Sequence, residues 1–258
     1  MRITQKSLRL AAAVTGAVAV AGLLVPNAYG VFAPGTPGKD IHLGQDNDNA
    51  ANTFVQPPGV AAKQHLDNTD ILSGRGNDDL LVGKLGDDVL LGGADSDIMV
   101  GGPENFTPIN SDVMIGDAGD DINIWAPGDG SDAFSGNTGH DTMIFAPFVT
   151  DDDGELVLET YAGRRIPRVE IGGLPGLGCT IVPVPASQKL GFDQLVRFTV
   201  NGAITVTVRQ DDVETVYCPS PEAGWARVAD LTAASPTFRS VRLADIGGTV
   251  GAILAPAS

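Results

Sequence analysis

The feature that most constrains the fold of this chain is a nine-residue interval between aspartates. In residues 70–102 a large apolar residue follows each aspartate by two positions, and a glycine follows it by four. The three sets are Asp70, Asp79, Asp88 and Asp97; Leu72, Leu81, Leu90 and Met99; and Gly74, Gly83, Gly92 and Gly101. Nine residues fit neither the 3.6-residue period of a helix nor the two-residue period of a strand. The interval therefore predicts a repeated unit made of a turn and a short strand.

The residues two positions before each aspartate are those that tolerate a positive φ angle. They are Asn68, Asn77, Gly86 and Asp95. We therefore expect a left-handed turn residue at this position of every unit. A strand of three residues should follow, with the central apolar side chain pointing inward.

The pattern is interrupted after Gly102 by PENFTPINS and then resumes. The aspartates of the second block are Asp112, Asp121, Asp132 and Asp141, and Gly116, Gly119, Gly136 and Gly139 hold the matching turn positions. The inward positions of this block are Met114, Asn123, Phe134 and Met143. The chain thus contains eight turn-strand units in two blocks of four.

The negative charge of the chain is concentrated in the repeats. Residues 67–141 contain 16 acidic residues but only Arg75 and Lys84 as basic ones, whereas residues 154–258 contain 10 acidic and 9 basic residues. An anionic field of this kind repels nucleic acid and anionic lipid and attracts cations. We therefore expect no nucleic-acid partner.

These repeats resemble the nonapeptide G-G-x-G-x-D-x-U-x of the repeats-in-toxin (RTX) family, in which U is a large apolar residue. The resemblance covers residues 65–145 and implies an all-β protein with a parallel β-roll, in which two nonapeptides make one coil. It further implies Ca²⁺ ions between stacked turns, bound by aspartate carboxylates and turn carbonyls. The implied calcium ligands are Asp70, Asp79, Asp88, Asp97, Asp112, Asp121, Asp132, Asp141, Asn68, Asn77, Gly74, Gly83, Gly86, Gly92, Gly101, Gly116, Gly119, Gly136 and Gly139.

Aspartates two units apart should meet on the same edge of such a roll. The expected neighbours are Asp70 with Asp88, Asp112 with Asp132, Asp79 with Asp97, and Asp121 with Asp141; Asp88 with Asp112 and Asp97 with Asp121 would meet across the insertion. Calcium accepts six to eight oxygen ligands, and stacked carboxylates repel one another without a cation. Calcium binding should therefore drive folding.

Some positions depart from the family pattern. Arg75 and Lys84 stand where glycine is usual, and Asn123 occupies an inward apolar position, where it needs a buried partner. The residues beside the inward ones are also apolar, as at Leu80 and Val82. One face of the roll should therefore be covered by the N-terminal arm or the C-terminal domain, or serve as a contact surface.

The N-terminus has the pattern of a signal peptide. A basic segment precedes the apolar run 10–25, and small residues precede Val31, which predicts cleavage after Gly30 and a secreted protein without a membrane span. An uncleaved membrane anchor is the alternative. The predicted organisation is a signal peptide (1–30), an irregular arm or N-terminal cap (31–64), the calcium-binding β-roll (65–147) and a β-rich C-terminal domain (148–258).

The C-terminal part contains the only two cysteines, Cys179 and Cys218, which we expect to form a disulfide in an oxidising compartment. Its alternating apolar residues predict strands. The apolar residues on either side of Asn201-Gly202 share a face only if the loop has an odd length. We therefore predict a three-residue connection with Gly202 left-handed at a bulge, and not a type I′ turn.

No sequence motif identifies an active site. The chain has no H-E-x-x-H or G-x-S-x-G, and its histidines, His42, His65 and His140, are isolated. The favoured function is therefore a secreted calcium-binding protein with a structural or interaction β-domain. A hydrolase using carboxylates such as Glu155, Glu159 and Glu170 remains an alternative, as does an adhesin that binds a carbohydrate or protein ligand at a cell surface or in a matrix.

Overall fold

The computed structural model describes residues 32–34, 41–43, 70–84, 86–102, 111–152, 156–188 and 191–255. The predicted signal peptide, Asn68, His65 and Glu155 lie outside these residues, as does the side chain of His42. In the described part of the chain, no helix is both long enough and apolar enough to cross a membrane.

The repeats form a short parallel β-solenoid with two sheets. Its strands, with two from the arm, are β1 (Phe32–Pro34), β2 (Ile41–Leu43), β3 (Ile71–Gly76), β4 (Leu80–Val82), β5 (Val89–Ala94), β6 (Ile98–Val100), β7 (Val113–Ala118), β8 (Ile122–Trp125), β9 (Ala133–Thr138) and β10 (Thr142–Phe145). Successive units alternate between a first sheet, with β3, β5, β7 and β9, and a second sheet, with β4, β6, β8 and β10. All neighbours within these sets are parallel. The predicted all-β class and β-roll architecture are confirmed.

The turns between these strands contain the predicted left-handed residues, except before Asp132, where Gly128 and not Gly130 has a positive φ angle. Positive φ angles occur at Asn77, Gly86, Asp95, Gly119 and Gly139, and also two positions earlier at Arg75, Lys84, Gly93, Asp117 and Asn137. Two left-handed residues in one turn redirect the chain from one sheet to the other. The strands of the second sheet have three or four residues, close to the prediction, but those of the first sheet have six because pairing continues into the turn.

The interior of the roll is a continuous apolar core. The inward residues Leu72, Leu81, Leu90, Met99, Met114, Phe134 and Met143 are all buried in one cluster. Each belongs to the period-nine set, so the predicted inward direction of these side chains is confirmed.

The C-terminal region is β-rich, as predicted, and it extends both sheets of the roll. Its elements are β11 (Leu158–Tyr161), β12 (Arg164–Pro167), β13 (Leu177–Pro183), β14 (Gln194–Val200), β15 (Ala203–Asp211), β16 (Thr215–Cys218), β17 (Trp225–Asp230), β18 (Arg239–Arg242) and helix α1 (Gly248–Leu254). Strand β15 pairs in parallel with β9, and β16 pairs in parallel with β10. Strands β14 and β13, and β17 and β18, then continue the two sheets in antiparallel fashion.

The outer face of the second sheet is covered by this C-terminal region. Leu80, Val82, Ile98, Val100, Ile122, Ile124 and Ile144 form one buried cluster with Ile166, Val169, Ile171, Ile253 and Leu254. Of the three explanations offered for the apolar flanking residues, coverage by the C-terminal domain therefore applies to this face.

The described residues of the arm are strands, so the prediction of an irregular segment is wrong for them. Strand β1 pairs with β3, and β2 pairs with β4, both in parallel. The arm thus adds one strand to each sheet beside the first repeats, which is the position of a cap.

The predicted connection between β14 and β15 is also wrong. Val200 pairs with Ala203, so the loop has two residues, and both Asn201 and Gly202 have positive φ angles, as in a type I′ turn. The extra residue required for a shared face is Thr205, because Phe198 pairs with Val206 and Thr199 with Ile204. The bulge therefore lies within the strand pair and not in the loop.

The predicted disulfide between Cys179 and Cys218 is present. It joins β13 of the first sheet to β16 of the second sheet. Both cysteines belong to the interior core, in which the rings of Trp125 and Phe198 lie 4.9 Å apart. The bond therefore holds the two sheets together at the C-terminal end of the roll.

Candidate metal centre

The eight repeat aspartates form two ladders, one along each edge of the roll. The first edge contains Asp70, Asp88, Asp112 and Asp132, and the second edge contains Asp79, Asp97, Asp121 and Asp141; all eight are fully buried. Each Oδ1 atom beyond the first accepts a hydrogen bond from the backbone N–H of the preceding aspartate on its edge, at 2.7–3.0 Å. All six expected neighbour pairs are therefore adjacent, including the two that cross the insertion.

The second carboxylate oxygen has a different environment. The Oδ2 atoms of Asp88, Asp97, Asp121, Asp132 and Asp141 are buried and have no hydrogen-bond partner among the described residues. A buried carboxylate oxygen without a partner is costly, because it loses its hydration without compensation. These atoms therefore indicate where an additional ligand, a proton or a cation, would be most stabilising.

The repeat glycines create the space in front of these atoms. A Cβ atom built on Gly92 would lie 2.5 Å from Oδ2 of Asp97 and 2.9 Å from the carbonyl oxygen of Gly116 in the next coil. On the first edge, a Cβ atom on Gly83 would overlap Oδ2 of Asp88 and lie 2.6 Å from the Gly101 carbonyl oxygen. A carboxylate oxygen and a carbonyl oxygen thus converge over a glycine Cα. Only glycine fits at these positions.

Burial makes the ladder carboxyls weak acids. Desolvation raises the pKa of Asp88 to about 9, of Asp97 to about 8, of Asp121 to about 7, of Asp132 to about 7 and of Asp141 to about 8. The backbone N–H donors oppose this shift, and neighbouring ladder aspartates add to it in most cases. Near neutral pH, and without a bound metal, these five carboxyls are therefore partly protonated and partly ionised.

The second edge has an arginine from the C-terminal region beside it. The guanidinium of Arg164 is buried, donates to the carbonyl oxygen of Asp79 at 3.2 Å and lies 4.0 Å from the carboxylate of Asp78. Its charge also lowers the pKa of Asp97 and Asp121, against the larger effect of desolvation. Strand β12 is thus held against the anionic edge.

The other predicted ligands that the structure describes lie in these turns and have different roles in them. The side chain of Asn77 donates to the neighbouring carbonyl oxygen of Gly76, and its backbone N–H donates to Asp95. The Oδ2 atom of the next ladder aspartate lies close to the Cα of six predicted glycines, namely Gly74, Gly83, Gly92, Gly101, Gly116 and Gly136. The other three, Gly86, Gly119 and Gly139, are the left-handed residues before ladder aspartates.

Asn123, the polar residue at an inward position, has one weak partner. Its Nδ2 atom lies 2.6 Å from the sulfur of Met114, while its Oδ1 atom has no hydrogen-bond partner among the described residues. A thioether sulfur is a poor acceptor. The buried partner that the sequence analysis required for this residue is therefore only partly provided among the described residues.

Replacing Asn123 with leucine should stabilise the protein by about 1–2 kcal/mol. Leucine removes the unsatisfied buried amide oxygen and keeps the branched shape of the side chain. Thermal unfolding followed by circular dichroism would measure the change. The control is Asn201→Leu at the exposed hairpin loop, which should not stabilise the protein. A lower unfolding temperature for Asn123→Leu than for wild type would contradict this account of the core.

Sequence reasoning missed two features near the ladders. The carboxylate of Glu214 accepts a hydrogen bond from the backbone N–H of Asp141 at 2.6 Å, although Glu214 lies outside the repeats. In addition, carboxylate oxygens of Asp193, Asp211 and Asp212 lie within 4.8 Å of one another. No local spacing signals either feature, because both depend on the position of β15 and β16.

The structure describes two of the three carboxylates weighed for catalysis, Glu159 and Glu170. Glu159 is exposed and forms an ion pair with Arg168 at 2.7 Å, and Glu170 is exposed. The exposed His140 donates its backbone N–H to Asp120, and its ring Nε2 lies 3.0 Å from the hydroxyl of Thr215.

The fold and these contacts define a parallel β-solenoid with two buried aspartate ladders. No family model matches the chain, and neither curated proteins nor solved structures give a significant match. The geometry of the ladders is therefore the main indication of what this protein binds.

Proposed function

We propose that this chain is a secreted calcium-binding protein of the RTX type, whose β-roll folds around Ca²⁺ and whose C-terminal β-domain is a structural or interaction module. The observation that carries the proposal is the set of buried, unpartnered Oδ2 atoms, of which those of Asp88 and Asp97 lie over a glycine beside a carbonyl oxygen of the next coil. The proposal includes membership of the RTX family on the strength of the repeat motif.

The ladder provides ligands of the kind that calcium prefers. Calcium binds six to eight oxygens from carboxylates, carbonyls and water, and it accepts irregular geometry. The turns at Gly74, Gly83 and Gly92 each offer a carboxylate oxygen and a carbonyl oxygen side by side, as at Asp97 and Gly116. These ligands are all oxygen atoms, which suit calcium better than zinc and other transition metals that prefer sulfur or imidazole.

A divalent cation would also remove the electrostatic cost of the fold. Desolvation and neighbouring ladder charges disfavour the ionised form of Asp88, Asp97 and Asp141. At neutral pH a cation bound by two carboxylates neutralises their mutual repulsion. Its binding free energy therefore contributes directly to folding.

Export is supported by the disulfide between Cys179 and Cys218, because such bonds persist in oxidising compartments. Extracellular calcium is in the millimolar range that weak extracellular modules require. A secreted chain would therefore meet calcium at the concentration that such sites need.

The test is a calcium titration of the mature chain, followed by far-UV circular dichroism after treatment with EGTA. We expect the β signal to increase with a midpoint of about 0.1 to 1 mM calcium. The matched control is the same titration with magnesium, which binds poorly to sites that lack octahedral geometry. A chain that is equally folded and equally heat-stable with and without EGTA would contradict the proposal.

A further inference from the structure

The ladder on the second edge continues beyond the last repeat. Asp141, the last repeat aspartate on this edge, donates its backbone N–H to the carboxylate of Glu214 at 2.6 Å. The backbone N–H groups of Glu214 and Thr215 both donate to the carbonyl oxygen of Asp141. Glu214 immediately precedes β16, just as Asp141 precedes β10, so it occupies the place of a further ladder acid.

The space over a glycine Cα, where a carboxylate oxygen and a carbonyl oxygen converge, is also found at this end of the edge. A Cβ atom on Gly136 would overlap both Oδ2 of Asp141 and the backbone carbonyl oxygen of Asp212. At Gly92 the overlapping atoms are Oδ2 of Asp97 and the carbonyl oxygen of Gly116. The carbonyl of Asp212 therefore takes the role that a glycine carbonyl has in the repeats.

Asp141 directs an unpartnered atom into this space. It is fully buried, its Oδ1 atom accepts the N–H of Asp121, and its Oδ2 atom has no hydrogen-bond partner among the described residues. The carboxylate of Glu214 lies beside Asp141, because it accepts the backbone N–H of that residue at 2.6 Å. The carboxylates of Asp141 and Glu214 thus lie close to the space over the Gly136 Cα.

The two edges of the roll end differently. On the first edge the last aspartate, Asp132, has a cation beside it: Arg209 donates its backbone N–H to the Asp132 carbonyl, and its charge lowers the pKa of Asp132. On the second edge the corresponding neighbour is the anionic Glu214. The acidic cluster of Asp193, Asp211 and Asp212 adds negative charge to the strand end that leads to Glu214. Among the described residues, the last acid of the second edge thus has an anionic neighbour where the last acid of the first edge has a cationic one.

We propose that Asp141, Glu214 and the backbone carbonyl of Asp212 form an additional calcium site, in which ligands from outside the repeats bind the C-terminal domain to the roll. This inference depends on calcium binding by the repeats. Because Asp212 and Glu214 lie between β15 and β16, a cation at this site connects both sheets of the C-terminal domain to the last repeat.

The test is the substitution Glu214→Gln in the full mature chain. Glutamine keeps an acceptor for the N–H of Asp141 but removes the charge, so we expect one calcium ion fewer per chain by equilibrium dialysis and native mass spectrometry. Calcium-dependent protection of residues 213–218 from amide hydrogen exchange should fall at least about tenfold. The matched control is Glu222→Gln, an exposed position in the same domain, which should leave both values unchanged.

A second variant separates loss of the ligand from loss of the fold. Glu214→Asp keeps the charge and matches the other ladder members, so it should retain the wild-type number of calcium ions. If wild type binds calcium and Glu214→Gln binds the same number with the same affinity, the additional site is refuted while the repeat sites stand. If wild type itself binds no calcium, the proposed function fails.

Discussion

Without calcium, the protein should lose thermal stability as the pH rises from about 5 to about 8. The carboxyls of Asp88, Asp97 and Asp141 have pKa values raised by burial to about 9, 8 and 8 from the ordinary value of 3.8. Well below pH 3.8, they are protonated in both the folded and the unfolded chain. Above that, the unfolded chain releases these protons while the folded chain retains them, so the free energy of unfolding decreases up to the folded-state pKa values.

With saturating calcium the pH dependence of the stability should reverse. The metal binds the ionised carboxylates, so its contribution to folding grows over the same pH range in which the metal-free protein becomes less stable. We expect the unfolding temperature at pH 8 to exceed that at pH 5 in calcium. In EGTA we expect it to be lower at pH 8 by about 10 °C or more, equivalent to about 3–5 kcal/mol for a protein of this size.

Differential scanning calorimetry at several pH values, in EGTA and in calcium, would measure this effect. The control is Asp97→Asn, because an amide resembles the protonated acid: it should raise the metal-free stability at pH 8 and reduce the stabilisation by calcium. A metal-free unfolding temperature that does not vary between these pH values would show that the ladder acids are not protonated in the folded state.

Replacing Gly92 with alanine should be strongly destabilising. The new Cβ atom would lie 2.5 Å from Oδ2 of Asp97 and 2.9 Å from the carbonyl oxygen of Gly116, so the carboxylate or the next coil must move. Overpacking of this kind costs about 1–3 kcal/mol, or more where backbone is displaced. We expect a decrease of about 3 kcal/mol in unfolding free energy, and weaker calcium binding because the two oxygens no longer converge.

The matched control for this substitution is Gly76→Ala in the neighbouring coil, on strand β3, which pairs with the strand of Gly92. A Cβ atom on Gly76 would be 3.9 Å from the Cβ of Ala94, an ordinary contact, and Ala94 is its pairing partner in the next coil. Calcium titration and thermal unfolding of both variants would test the comparison. If the two alanines had equal effects, the space over the Gly92 Cα would have no special role in the ladder.

Much of the roll could be predicted from its repeat because the determinants are local. A turn with left-handed residues such as Asn77, followed by an inward residue such as Leu81, has the same shape wherever it recurs, so identical units stack with their aspartates aligned. The insertion after Gly102 did not disturb this alignment, and the N–H of Asp88 still donates to the carboxylate of Asp112.

The hairpin between β14 and β15 shows a limit of the same reasoning. The requirement for one extra residue followed from the alternation of side chains, but alternation does not specify where that residue lies. Asn201-Gly202 strongly favours a two-residue turn, so the extra residue moved to Thr205 within the strand pair.

The sequence by itself determined the β-roll, its inward side chains, its aspartate neighbours and the cysteine pair, because each depends on spacing along the chain or on the small number of possible partners. Only the tertiary structure decided that β15 and β16 extend the roll, that Ile253 and Leu254 cover the second sheet, and that Glu214 joins the ladder 73 residues after Asp141. These contacts join segments that share no repeated pattern. Packing and the pairing of free strand edges select them, and neither is encoded in a local motif.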